Sequence, residues 1–152
     1  KARLIGRPRR RVRHGDPLHL PLLSSMSVRS SGPVEARVAH QQELGSAGEA
    51  VVAAWYERRG YEILERNWRC REGEIDVIAR LDDVVVICEV KTRSSDAFGH
   101  PAEAVTPAKQ QRLRVLAGRW LEDGAGGLRP RSVRFDVAAV LAGELDVIEA
   151  AF

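Results

Sequence analysis

Lysine is almost missing from this chain: Lys1, Lys91 and Lys109 stand beside twenty-one arginines. A lysine set inside an apolar run is therefore unusual for this composition, and Lys91 is one. Cysteine is equally scarce. Cys70 and Cys88 make neither a disulfide framework nor a zinc pattern, and Cys88 sits where a small hydrophobe would serve, so a reducing, cytoplasmic setting is expected. No stretch approaches the roughly 20 apolar residues that a membrane helix needs, which argues against a membrane partner. Leu18-His19-Leu20-Pro21-Leu22-Leu23 follows a basic stretch and imitates a secretory signal, but it is short and broken by His19 and Pro21, so export is not expected.

With 152 residues, 44% of them hydrophobic, the chain suits one compact domain. The net charge of +3 hides an uneven distribution. Residues 1–45 hold nine Lys and Arg against three acidic residues, whereas residues 46–152 hold fifteen against eighteen. The basicity thus lies in the first third, and the pI near 9.2 is poor evidence that the folded part binds nucleic acid. Residues 1–42, rich in Arg, Pro, Ser and Gly without a sustained period, read as a disordered basic arm, and 43–152 as a single domain. Met26, the sole methionine, marks a candidate natural start, with 1–25 as an upstream extension.

Within the domain, Ser46 to Arg59 has a helical pattern and stops at Gly60. Tyr61–Trp68 reads as a short strand. Glu72–Arg80 and Val84–Thr92 read as a hairpin. Thr106 caps a second helix with Pro107 at its first position, and Leu113, Leu116, Ala117, Trp120 and Leu121 form one face of it. Gly124, Gly126 and Gly127 end that helix, and Arg134–Leu141 and Leu145–Ile148 are final strands around Gly143. The order α-β-β-β-α-β-β predicts a mixed α/β domain.

The hairpin carries charge where charge is costly. Asp76, Glu89 and Lys91 interrupt β-branched runs, and an unpaired charge buried there costs several kcal/mol, roughly. A turn centred on Asp82 and Asp83 sets Asp76 opposite Glu89 and Glu74 opposite Lys91, all on one face. Ile75, Val77, Ala79 and Leu81 would then face Val84, Val86, Cys88 and Val90 on the other side. Two close carboxylates repel unless a cation lies between them. Their oxygens suit Mg²⁺ or Mn²⁺, and Lys91 is placed to orient or deprotonate a water or to stabilise charge developing on a phosphate. The chemistry suggested is metal-assisted phosphodiester hydrolysis.

Asp76 followed by Glu89-Val90-Lys91 resembles the PD-(D/E)xK nuclease signature, although no proline precedes Asp76. A wider series is similar to the YraN-like family of bacterial proteins, related to archaeal-type Holliday junction resolvases. Its members here are Gly48-Glu49, Gly60-Tyr61, Asn67, Arg69, Gly73-Glu74-Ile75-Asp76, Glu89-Val90-Lys91-Thr92-Arg93, Phe98-Gly99, Ala104-Val105, Lys109 and Arg134-Phe135-Asp136-Val137. That resemblance implies a restriction-endonuclease-like core with Asp76 and Glu89 as metal ligands, Lys91 as the catalytic lysine and Glu49 as a further acid. It also implies a nucleic-acid partner, DNA, branched or damaged.

Plainer readings compete at several positions. Ser46-x-x-Glu49 fits a capping box that needs no active-site role. Glu74 and Lys91 fit a cross-strand ion pair. Arg69, Arg93 and Lys109 could grip phosphates or simply be solvated, and Trp68 could stack on a base or join the core. His100 reads as a surface residue, and Asp136 as a brace or a member of the site. The rival function is a catalytically silent nucleic-acid-binding or assembly protein with the same fold. A homodimer through an exposed sheet edge is a third reading.

Overall fold

The computed structural model describes residues 3–4, 10–14, 33–93, 105–141 and 144–152. Strands β1 (Arg3–Leu4) and β2 (Arg10–His14) precede helix α1 (Pro33–Glu57). Three antiparallel strands follow, β3 (Glu62–Cys70), β4 (Gly73–Leu81) and β5 (Val84–Arg93). Helix α2 (Pro107–Arg119) then leads to β6 (Ser132–Leu141) and β7 (Glu144–Glu149). From α1 onward the order is the expected α-β-β-β-α-β-β. The mixed sheet runs β2-β7-β6-β5-β4-β3, and β1 lies parallel to β6. β5 and β6 pair in parallel over their full lengths, from Val84↔Ser132 to Arg93↔Leu141. A parallel pair needs a crossover between its strands, and α2 lies in that connection.

Two cores result, one on each face of the sheet. Val52, Trp55 and Tyr56 of α1 pack on Val77, Ala79, Val86, Cys88, Ala138 and Val140. Leu113, Leu116, Ala117 and Trp120, at the helical spacing expected, pack on Ile75, Ile78, Val85, Ile87, Phe135 and Val137. A sheet covered on both sides reads as continuous β-branched runs, which explains Val84-Val85-Val86-Ile87.

The helix ends follow local chemistry. The Thr106 hydroxyl accepts the Lys109 N–H at 3.3 Å, with Pro107 in the first turn. Gly60, at φ +83°, ends α1: its N–H donates to the Glu57 carbonyl at 3.0 Å and that of Tyr61 to Tyr56 at 3.1 Å, closing a left-handed cap. α2 runs on as a π-helical turn over Trp120–Gly124, where the Trp120 indole N–H donates to Glu65 at 2.9 Å.

Three expectations change. α1 begins at Pro33 rather than Ser46. Its described side chains from Val34 to Glu43 are exposed, so this stretch has no buried face to leave a periodic mark. Its Glu, Ala, Arg and Gln residues favour helix intrinsically instead. The arm assigned to 1–42 contains that helical start together with β1 and β2. Strand pairing through backbone groups, such as Val12↔Val147, needs no hydrophobic period either. The rest of 1–42, Met26 included, lies outside the described residues, as does His100. The hairpin also lacks the expected charged face, acidic and cationic, opposed to a purely apolar one. Ile75 joins the α2-side core and Val77 the α1-side core, so the side-chain alternation slips at Asp76.

Candidate functional site

The slip at Asp76 coincides with an opening in the sheet. The expected hairpin register holds from Leu81↔Val84 to Val77↔Cys88, and the pairing stops one position short of Asp76 and Glu89. On the other flank, Arg66↔Val77 and Trp68↔Ile75 bracket Asp76 and Asn67, and Asn67 has a left-handed φ of +53°. Asp76 therefore sits where regular pairing fails on both sides. Its Oδ2 accepts the Val90 N–H at 2.7 Å, so a side chain replaces a backbone partner. Burial pushes the Asp76 carboxyl up to about 6. The Glu89 and Glu49 charges add to the rise, while the Val90 N–H and the Lys91 ammonium work against it.

Glu89 is 3% exposed, on the next strand. Its Oε1 accepts from Lys91 Nζ at 2.5 Å and lies 3.1 Å from Lys109 Nζ. Its Oε2 is buried with no hydrogen-bond partner among the described residues. An orphaned carboxylate oxygen in this position costs about 1–3 kcal/mol or more. The opposing helix adds Glu49, whose Oε2 accepts from the Asn67 amide at 2.5 Å. A capping box is excluded, because Ser46 and Glu49 stand in the middle of α1. Gly48 makes this approach possible: a Cβ there would lie 2.0 Å from Thr92 Oγ1 of β5.

Not every expected residue joins this group. Glu74 does not pair with Lys91; it meets Arg69 at 3.1 Å on the exposed end of β3 and β4, because the β4–β5 ladder has already opened. Arg93 ends β5 opposite Leu141, and its side chain lies outside the described residues. Trp68 is half-buried against the α2-side core and does not stand out as a stacking platform. Asp136, left open between brace and site, is fully buried as a brace. It accepts from Tyr56 Oη at 2.7 Å, from Arg134 Nε and Nη2 at 2.9 and 2.8 Å, and from the Ala150 N–H at 2.9 Å.

Sequence reading missed two contacts. Lys109, read as a phosphate contact or a solvated residue, reaches Glu89 from α2. Asn67 holds Glu49, which only the fold brings within reach.

The donor set fits a hard divalent cation. Asp76 and Glu89 offer oxygens only, one of them buried and unpartnered, and their mutual repulsion is the condition that a cation relieves. Among the described residues no group of three or more His, Cys, Asp or Glu stands close enough to enclose an ion. Two protein carboxylates, with water and substrate completing the shell, is a common arrangement for Mg²⁺. Among the described residues no helix is long and apolar enough to cross a membrane.

A UPF0102 protein of Beutenbergia cavernae is 54% identical over 98 residues, which covers 64% of this chain and 81% of the relative. Relatives of the same description in Leifsonia xyli (47% over 104 residues, 68% of this chain and 86% of the relative) and Streptomyces coelicolor (52% over 99 residues, 64% and 75%) are similar. The profile of the uncharacterised protein family UPF0102 matches residues 48–140, from Gly48 at the α1–β5 contact to Val140 in β6. The chain belongs to that family, the YraN-like family that its motifs resemble.

Proposed function

We propose that the protein is a metal-dependent endonuclease that hydrolyses phosphodiester bonds in DNA, with branched or damaged DNA as its substrate. The observation that carries this reading is the buried Glu89 Oε2, without a hydrogen-bond partner among the described residues, beside an Asp76 whose carboxyl is raised by burial and by the Glu89 charge. Structural ion pairs satisfy their buried oxygens, whereas a site held ready for a ligand leaves one unsatisfied.

Asp76 and Glu89 would hold Mg²⁺ or Mn²⁺, and Glu49 would be a further acid on the α1 side. When bound, the ion supplies charge stabilisation for the phosphate and a lower pKa for water. Lys91, already fixed on Glu89, offers an ammonium toward charge developing on the phosphate oxygens. The raised carboxyl of Asp76 disfavours cation binding in acid, so activity is expected to rise through the region of pH 6.

Purified protein incubated with Mg²⁺ or Mn²⁺ and linear, flapped and four-way DNA tests this, beside Asp76→Ala and Lys91→Ala. Cleavage by the native chain alone is expected. Equal cleavage by all three would trace the activity to a contaminant and end the reading.

One observation favours the rival, a nucleic-acid-binding or assembly protein that does not cleave. Two lysines already converge on Glu89 Oε1, so the acid is partly neutralised by the protein itself. Retained, salt-sensitive binding without cleavage would select that reading.

A further inference from the structure

Next to the carboxylates lies a cleft of about 360 Å³ lined by Arg69, Cys70, Gly73, Glu74, Lys109 and Arg112. Three of the six are cations, drawn from β3 and α2. Glu74 is the one acid, and it is paired with Arg69. Arg112 is held before any ligand arrives, because its Nε donates to the Glu72 carbonyl at 3.0 Å, across the turn between β3 and β4. Gly73 makes room for it: φ there is +149°, and a Cβ would stand 2.9 Å from Arg112 Nη2. One donor of the fork is thus used for positioning, and no hydrogen bond among the described residues engages its Nη groups. Lys109 lines the cleft and also lies 3.1 Å from Glu89, so the cleft and the carboxylate site are continuous.

We propose that this cleft binds a backbone phosphate of a nucleic-acid strand whose neighbouring phosphate lies at Asp76 and Glu89, with Arg112 as its preset anchor. The inference rests on the nuclease reading for the second phosphate. A preset guanidinium fork suits a phosphate diester, and Lys109 joins the cleft to the carboxylates, so a strand seated in the one runs on to the other. None of the six described lining residues is aromatic, so they offer no platform for a base. Recognition here is of backbone charge, independent of base sequence.

The test titrates the full chain, in EDTA, into fluorescein-labelled strands of DNA and of RNA, single and duplex, and reads anisotropy at several salt concentrations. Arg112→Ala and Arg69→Ala are each expected to weaken binding about tenfold and to make the log–log salt slope shallower by about 0.7–0.9. Arg112→Lys keeps the charge without the fork and recovers part of the loss. Arg58→Ala removes an equal charge from the exposed end of α1 and leaves both quantities unchanged. Native affinity and slope in both cleft variants, or no binding of any strand by the native chain, overturns the proposal. If Arg112→Ala fails to fold, Arg69→Ala decides, since its side chain is 73% exposed and its ion pair is with Glu74, itself exposed. Binding that depends on Arg112, with no cleavage when Mg²⁺ is restored, sinks the nuclease reading alone. Cleavage that both cleft variants retain in full sinks the cleft alone.

Discussion

Asp76 Oδ2 accepts the backbone N–H of Val90 at 2.7 Å, at the point where β4 and β5 cease to pair. A carboxylate has taken the place of a carbonyl in the ladder. This holds the Asp76 side chain between two strands and beside Glu89, and four measurements test it and the packing around it.

The first concerns pH. Asp76 is raised from 3.8 to about 6 by burial and by Glu89, so the folded protein holds this proton more tightly than the unfolded chain does. Stability from this group is present below about 3.8 and is lost as pH rises toward about 6. Asp76→Asn keeps an acceptor for Val90 and removes the charge. It is expected to stabilise the protein at pH 7 by on the order of 2–3 kcal/mol and to flatten the pH dependence between those limits. Denaturant melts at pH 4 and pH 7 check it, and a native-like pH slope in the variant would contradict it. Saturating Mg²⁺ should raise the Tm of the native chain at pH 7 but not that of Asp76→Asn.

The second concerns the lysines. Lys91→Met or Lys109→Met alone leaves Glu89 one ammonium, and each is expected to cost about 1 kcal/mol, since both side chains are about a third exposed. Together they strand a buried carboxylate and are expected to cost about 3–5 kcal/mol. Adding Glu89→Gln should recover most of that loss. Additive single losses with no recovery would show that the pairing contributes nothing to the fold.

The third reverses a general rule. Gly→Ala inside a helix ordinarily gains about 0.5–1 kcal/mol. Gly48→Ala is expected to lose about 1–3 kcal/mol instead, because its Cβ would meet Thr92 Oγ1 at 2.0 Å. Thr92→Ala in the same chain removes that oxygen but leaves the Thr92 Cβ position 3.2 Å away, so rescue should be partial. Thermal melts of the single and double variants decide this, and a Gly48→Ala protein more stable than the native one would refute it.

The fourth separates bracing from chemistry. Tyr56→Phe removes one of four hydrogen bonds to buried Asp136 and is expected to cost about 1–3 kcal/mol. Asp136→Ala, which leaves half-buried Arg134 only Glu149 at 3.4 Å, should cost about 3–5 kcal/mol. Neither acts on the Asp76 carboxyl, so a Mg²⁺-induced rise in Tm should persist in Tyr56→Phe. Loss of that rise would place Asp136 in the site.

Much of this arrangement was legible along the chain, and the legible parts share a cause. The helix from Thr106, the hairpin register from Leu81↔Val84 to Val77↔Cys88 and the order of elements from α1 onward follow from local chemistry: a capping hydroxyl, a two-aspartate turn and β-branched runs. Asp76, Glu89 and Lys91 stood out because charge inside such runs is expensive wherever they fold. Glu49 was visible too, but its spacing to Ser46 suggested a cap, since sequence could not show a helix beginning at Pro33 with no buried face.

Tertiary structure decided the rest. The slip at Asp76 depends on β5 ending its pairing there while β3 skips one position and pairs again at Trp68↔Ile75, so the simple alternation of a hairpin could not foresee Ile75 crossing to the α2 side. Glu74 turned to Arg69 for the same reason. Lys109 on Glu89, Asn67 on Glu49, Arg112 over Gly73 and Asp136 under Tyr56 are contacts between residues far apart in the chain. Local propensity and period report what a residue does to its own backbone; which distant charge it meets is set only when two helices close on opposite faces of one sheet.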